Sequence, residues 1–358
     1  AASSRLDEPI SVATIASAVS VAIAPMSRMA SALIAAIGTD EATFDAVLAF
    51  EPPPRRDPQP VDQATVQVLE MPLFFRHDIP KRNRARGYRT VWEPALAKSE
   101  YKALARRLET FFRLVLPDFP HDAVYGYRSG RNIRENAAVH AGNTLLLSID
   151  LEDFFPSISL ERVAQLFEAT GIDSAIADLL ARFVTIGGSL PLGLPTSPVI
   201  SNAVALPLDR SCQALADISG ISYTRYADDL SFSGNISLPD IDALRSIVES
   251  HGFSLAEEKT RRSKLGQAHY VTGLSVSDAL QPHVPRKKKR RLRQELYYAS
   301  KFGLGDHLRH LGVTDARLVQ QEVNRLDGMV RFVAHHEQAK ATALKAQLKS
   351  VLYAEGLK

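Results

Sequence analysis

Apolar positions change their period several times along the chain, and each change predicts an element. In "SEYKALARRLETFFRLVL" (99–116), Tyr101, Leu104, Leu108, Phe111, Phe112 and Val115 recur at helical spacing. "LERVAQLFEATG" (160–171) predicts a helix with Ser159 as its cap and Gly171 as its stop. "SPVISNAVALPLDRSCQALADI" (197–218) predicts a longer helix, opened by Pro198 and kinked at Pro207, and 238–252 predicts one ended by Gly252. "TLLLSID" (144–150) is instead a short unbroken apolar run, as in a strand buried on both faces. Residues 77–94 predict a hairpin with a basic tip, and 223–234 a second hairpin with a tight turn.

The flanks differ in kind. Residues 1–50 predict Ala-rich helices broken at Pro25 and Gly38, and "EPPPRRDPQP" (51–60) a stiff linker, because proline fixes φ and removes a donor. Residues 285–358 predict mostly helix. No internal repeat is evident. The order of elements predicts an α+β core, an antiparallel sheet packed by helices, followed by an all-helical unit.

Composition narrows the class. The 358 residues are 45% hydrophobic and 23% charged, which is ordinary for a globular chain. The single cysteine, Cys212, excludes a disulfide framework and a cysteine-rich zinc site, and suits a reducing cytoplasm. The apolar run Ile10–Ala24 is too short to span a bilayer and lacks the features of a signal peptide, so no membrane is expected as a partner. Charge is unevenly spread: residues 281–358 hold 16 Lys/Arg against 7 Asp/Glu, and the rest holds 27 against 33. A basic C-terminal part on a slightly acidic body predicts a polyanionic partner, or else a solvated helix face.

Three carboxylates carry the candidate chemistry. Asp150 ends an apolar strand, and Asp228 and Asp229 stand side by side at a hairpin turn. A bare Asp-Asp pair is often just a polar turn. If the two strands share a sheet, however, the three carboxylates converge, and such a cluster ionises cheaply only around a divalent cation. Hard oxygen ligands suit Mg²⁺, and two ions about 4 Å apart are the arrangement that serves phosphoryl transfer.

The strings "SIDLEDFFPSIS", "GLPTSPVISN", "YTRYADDLSFSG", "EEKTR" and "VTGL" resemble, in order, the palm motifs of reverse transcriptases. "NAAVH" (136–140) and "VTG" (271–273) resemble marks of the bacterial retron branch. The resemblance covers about residues 74–300. It implies a right-hand polymerase, with an N-terminal helical extension and linker at 1–60, fingers and palm at 61–280 and a basic helical thumb at 281–358. The implied activity is RNA-directed DNA synthesis from dNTPs on a structured non-coding RNA. That synthesis would be primed from a guanosine 2′-hydroxyl, giving branched RNA–DNA, in antiphage defence beside an effector protein. Other bacterial reverse transcriptases, of the diversity-generating or abortive-infection type, and a non-catalytic RNA-binding scaffold are the alternatives.

Residue by residue, the resemblance implies that Asp150, Asp228 and Asp229, with the Leu151 carbonyl, hold two Mg²⁺ ions and that Lys259 protonates departing pyrophosphate. Lys81 and Arg89 would meet the triphosphate. Phe155 would gate against a 2′-hydroxyl, although a core role fits it equally. Leu192 stands where the family usually has Gln, so one hydrogen bond to the incoming sugar is lost. Asn136 and His140 would contact the RNA or brace a loop, and Val271, Thr272 and Gly273 would grip the primer end. "RKKKRRLR" puts seven cations in eight positions, Arg286, Lys287, Lys288, Lys289, Arg290, Arg291 and Arg293, which suit RNA phosphates.

Overall fold

A computed structural model describes residues 31–52, 73–81, 87–95 and 98–356, apart from 32, 36, 311 and 314. The Ala-rich stretch before residue 31, most of the Pro-rich linker and the basic hairpin tip at 82–86 lie outside the described residues.

The palm is built on a four-stranded antiparallel sheet in the order β4-β5-β3-β6. Strand β3 (Leu145–Asp150) lies in the middle, as its apolar run requires, paired on one side with β5 (Asp229–Gly234) and on the other with β6 (Arg261–Lys264). Strand β4 (Ser222–Tyr226) closes a hairpin with β5, the pair Tyr226–Asp229 leaving Ala227 and Asp228 as the two loop residues. Ala227 has φ +58°, which such short hairpin loops demand. The register sets Asp150 directly opposite Asp229.

A second antiparallel pair, β1 (Phe74–Pro80) and β2 (Tyr88–Pro94), forms the finger hairpin. Around these strands pack α1 (Glu41–Leu48), α2 (Lys98–Val115), α3 (Ile133–Val139), α4 (Leu160–Glu168), α5 (Ser174–Val184), α6 (Ser197–Val204), α7 (Leu206–Ile218) and α8 (Ile241–Ser250). The helix expected over 197–218 is two helices broken at Ala205, because Pro207 cannot donate into a continuous ladder. Ser159 caps α4 as expected, accepting from the Arg162 amide. Helix α1 joins the main core: Phe44 stacks on Phe183 at 5.4 Å, and Phe183 stacks on Tyr101 at 5.3 Å.

After the palm, the short strands β7 (Tyr270–Val271) and β8 (Leu274–Ser275) form a tight hairpin. Four helices follow: α9 (Arg286–Phe302), α10 (Leu304–His310), α11 (Ala316–His336) and α12 (Gln338–Ala354). Their apolar sides, with Val271, Leu274 and Val276, make a second hydrophobic cluster. No helix among the described residues is long and apolar enough to cross a membrane.

Candidate active site

Two strands deliver the three carboxylates to one place. Asp150 is the last residue of β3, Asp228 lies in the β4–β5 turn, and Asp229 starts β5. The Leu151 amide donates to the Asp228 carbonyl at 2.9 Å, and the Ala256 amide to the Asp150 carbonyl at 2.8 Å, so the backbone locks strand end to turn.

The electrostatics register the crowding. Asp229 is pushed up to about 7, first by lost hydration in the cleft, then by the charges of Asp228 and Asp150, with Lys259 pulling the other way. Asp228 is raised by the same burial and by Asp150, with Lys259 and Arg89 lowering it. Lys259 ion-pairs directly with Asp150 Oδ1. Among the described residues no group of three or more His, Cys, Asp or Glu side chains is set to hold a metal ion as it stands. The donor set nevertheless fits hard divalent cations: after lost hydration, the mutual repulsion of the carboxylates raises Asp228 and Asp229, and added positive charge would relieve that repulsion. The lysine ammonium at Asp150 takes part of that role.

The turn is braced from below, a feature that the sequence reading missed. Arg225 is fully buried and clamps Asp209 of α7 through Nε–Oδ1 and Nη2–Oδ2, both 2.7 Å. Its Nη1 donates to the Ala227 carbonyl inside the turn at 3.1 Å, and the Tyr223 hydroxyl donates to the same Asp209 at 2.8 Å. Beside the turn runs Gly126: a Cβ there would stand 2.4 Å from the Ala227 nitrogen. The Asn202 side-chain amide donates to the Gly126 carbonyl at 3.1 Å. The available signal was an arginine inside an otherwise buried strand, since such a charge needs a partner.

The remaining expected residues divide. The charge of Arg89 reaches Asp228, so this finger residue borders the carboxylates, whereas Lys81 pairs with Asp153, at 3.0 Å. Phe155 is buried, edge-on to Tyr127 at 5.8 Å and to Phe154 at 5.5 Å, and Tyr127 in turn feels Asp228. Leu192 holds its loop to the fingers through its carbonyl, which accepts from the Trp92 amide at 2.7 Å. Its side chain lines a cleft of about 350 Å³ with Arg76, Thr90 and Trp92. Gly193 next to it is obligatory: φ is +105°, and a Cβ would lie 2.1 Å from the Trp92 oxygen.

Asn136 and His140, expected to contact RNA or brace a loop, and Val271, expected at the primer end, are buried. His140 lies under the sheet, Nδ1 2.7 Å from Ser233 Oγ and Nε2 2.8 Å from Thr224 Oγ1, so it ties β4 to β5. Burial, and then the charge of His269, lowers its pKa to about 3. Thr272 donates to the Ile133 carbonyl at 3.0 Å, with φ +45°, and Gly273, with φ +81°, completes an exposed turn beside α9. Lys289 is drawn inward: both Glu337 oxygens take its ammonium at 2.7 Å. Arg286, Lys287, Lys288, Arg290, Arg291 and Arg293 are exposed, Arg291 being held by Glu295 at 2.7 Å.

Residues 79–290 match the family model described as "Reverse transcriptase (RNA-dependent DNA polymerase)". The chain therefore belongs to the reverse transcriptase family, with the α+β right-hand fold that its motifs imply. Its relatives place it on the retron branch. It is 34% identical to the retron Mx65 reverse transcriptase of Myxococcus xanthus over 74% of this chain and 62% of that one. It is 33% identical to the Mx162 enzyme of the same organism, over 75% and 59%. It is 31% identical to the retron Ec86 reverse transcriptase of Escherichia coli, over 65% and 73%. The chain thus spans about three fifths of the length of the two Myxococcus relatives.

Proposed function

We propose that this chain is an RNA-directed DNA polymerase of the retron type, using a structured non-coding RNA as both template and primer. The observation that carries the reading is the pairing of Asp150 with Asp229 across β3 and β5, with Asp228 in the adjoining turn and Arg89 of the finger hairpin alongside. Asp150, Asp228 and Asp229, with the Leu151 carbonyl, would hold two Mg²⁺ ions. When bound, such ions favour the attacking hydroxyl and the charge on the leaving oxygen.

The protein's own groups do the rest. Lys81 and Arg89 draw the triphosphate of a dNTP against the fingers. Phe155, wedged between Tyr127 and Phe154, presents a ring edge where a 2′-hydroxyl would clash. Lys259 keeps its proton at Asp150 until a phosphate draws it away, and can then give that proton to pyrophosphate. The exposed cations of α9 hold RNA phosphates, which matches the concentration of positive charge after residue 281. Initiation from a guanosine 2′-hydroxyl, and service beside an effector protein in antiphage defence, follow from the retron resemblance.

The test is to purify the protein gently and sequence what comes with it. A branched RNA–DNA molecule with a 2′–5′ joint is expected. RNA alone would return the chain to the role of a scaffold, and DNA without the joint would move it to another branch of the family.

A further inference from the structure

Helix α9 changes character halfway along its exposed side. Arg286, Arg290, Arg293, Tyr297 and Lys301 follow one another at steps of four, three, four and four, and so share one stripe. Lys287, Arg291, Gln294, Tyr298 and Phe302 form the neighbouring stripe at the same steps. All ten are exposed, while Leu292, Glu295, Leu296 and Ala299 face the core. Both stripes therefore begin with cations and reach aromatic rings in the C-terminal half, the first at Tyr297 before Lys301 and the second at Tyr298 and Phe302, over a helix about 25 Å long.

The rings are unusual for a surface. Tyr297 is 52% exposed, Tyr298 38% and Phe302 54%. They form one cluster: Tyr297 and Tyr298 lie 5.7 Å apart, Tyr298 stacks on Phe302 at 6.2 Å and on His307 of α10 at 5.8 Å. Lys301 sits among them, its ammonium 5.9 Å from the Tyr297 ring and 5.2 Å from Phe302. An apolar cluster left in water needs a reason. A protein partner would want the rings rimmed by mixed polar groups, yet here they continue a face made almost wholly of cations. Flat rings interleaved with positive charge are how proteins hold unpaired bases along a phosphate backbone.

We propose that the C-terminal half of α9 is a stacking platform for unpaired RNA bases, continuous with the phosphate-binding N-terminal half. Tyr297, Tyr298 and Phe302 receive the bases, and Lys301 the adjoining phosphate. An RNA hairpin laid along the helix would then be held by its stem at Arg286–Arg293 and by its loop at the rings. Each half recognises what the other cannot: phosphates carry no distinction between paired and unpaired RNA, and stacking platforms accept only unpaired bases. The proposal rests on the reading of the chain as an RNA-using enzyme.

The test uses the full chain and two probes, a uridine oligonucleotide of about 12 residues carrying 4-thiouridine and a blunt RNA duplex of about the same length. The variant Tyr297→Leu/Tyr298→Leu/Phe302→Leu keeps apolar bulk and removes the rings. It is expected to bind the single strand at least about tenfold more weakly and the duplex as the wild type does. Photocrosslinks from the single strand should fall on α9. Tyr297→Phe/Tyr298→Phe keeps the rings and should bind both probes normally. Should the triple variant misfold, Tyr297→Leu alone, at the more exposed of the two clustered tyrosines, reads the same loss in smaller measure. Unchanged single-strand binding by the leucine variants, equal loss on both probes, or crosslinks lying elsewhere would overturn the platform, the first result leaving the rings to a protein partner. Extension of a generic RNA-annealed primer by the wild type is measured in parallel. Its absence would defeat the polymerase reading without changing the binding result.

Discussion

The β4–β5 turn and helix α9 are both dense in charge, and they handle it in opposite ways. Beneath the turn the charges are few, buried and paired: Arg225 spans Asp209 and the Ala227 carbonyl, with no exposed surface on the Arg225 or Asp209 side chain. On α9 they are many and mostly solvated, Lys289 being drawn inside to Glu337 and Glu295 facing the core with Arg325. A buried pair fixes position, because any displacement breaks hydrogen bonds that nothing else replaces. Solvated cations fix nothing, but they can follow a phosphate backbone of variable path and release its counterions. The first arrangement suits a reaction centre, where an error of an ångström is costly. The second suits a grip on a long polyanion.

The largest effect should come from breaking the buried pair. Asp209→Ala leaves Arg225 charged and unpartnered, and should cost about 3–5 kcal/mol of stability by denaturant titration. The double replacement Asp209→Leu/Arg225→Met removes both charges and should recover much of that loss. It should still incorporate dNTPs slowly, because the Ala227 carbonyl keeps no donor beneath the turn. Full activity in the folded double variant would remove Arg225 from the positioning of Asp228.

Next in size is the neutral histidine under the sheet. His140 has its folded pKa lowered to about 3 while the unfolded chain titrates near 6.5, so the unfolded state takes the proton first. Its contribution is intact above pH 6.5 and drains away as pH falls toward 3, by about 3 kcal/mol at pH 4. Asp229 runs the other way. Its raised pKa disfavours the folded state as pH climbs from about 4 to 7, so divalent-free protein should be steadied by Asp229→Asn at neutral pH. Stability curves of wild type and His140→Gln separate the two, the wild type losing stability relative to the variant as pH falls from 6.5 to 4. Parallel curves would assign the acid sensitivity to other groups, His269 first among them.

Smaller effects belong to the nucleotide's neighbours. Phe155→Ala should raise ribonucleotide use relative to dNTPs, and an unchanged ratio would leave that ring a purely structural part of the core. Leu192→Gln should improve dNTP use by about 1 kcal/mol if its amide reaches the sugar. A raised KM would instead show Leu192 to be fitted to its cleft with Trp92.

The smallest change in stability, and a clear change in binding, is expected on α9. Charge reversal at Lys287, Arg290 and Arg293 should leave the melting temperature alone and reduce the log–log salt slope of RNA binding by about 0.7–0.9 per lost contact. Lys289→Glu, by contrast, should destabilise the thumb, since it sets a second carboxylate against Glu337. An equal melting shift from all four would erase the distinction between paired and solvated charge.

Legibility in the sequence followed locality. The run "LLLSID", the spacing of α2, the cap of α4 and the break before Pro207 are all local signals, and each could be read from a few neighbouring residues. Strand β6 was missed because "RRSK" has no apolar face and is a strand only through its pairing with β3. Helix α5 went unread although Asp173 caps it and six of its side chains are buried. The three carboxylates were legible because motif order resembled that of a known family, and the strand register then brought them together. Arg225–Asp209 and His140–Thr224–Ser233 were not, because each joins residues far apart in sequence whose types carry no mark of their partner. The same holds for Lys289, which the sequence could not separate from its six exposed companions.

The most direct measurement is dNTP incorporation on an RNA template with an annealed primer and Mg²⁺, by the wild type and by Asp228→Asn and Asp229→Asn, with melting temperatures taken without divalent ions. The carboxylate site predicts extension by the wild type, none by either variant, and melting temperatures equal to or above the wild type's. Extension at wild-type rate by either folded variant would contradict it.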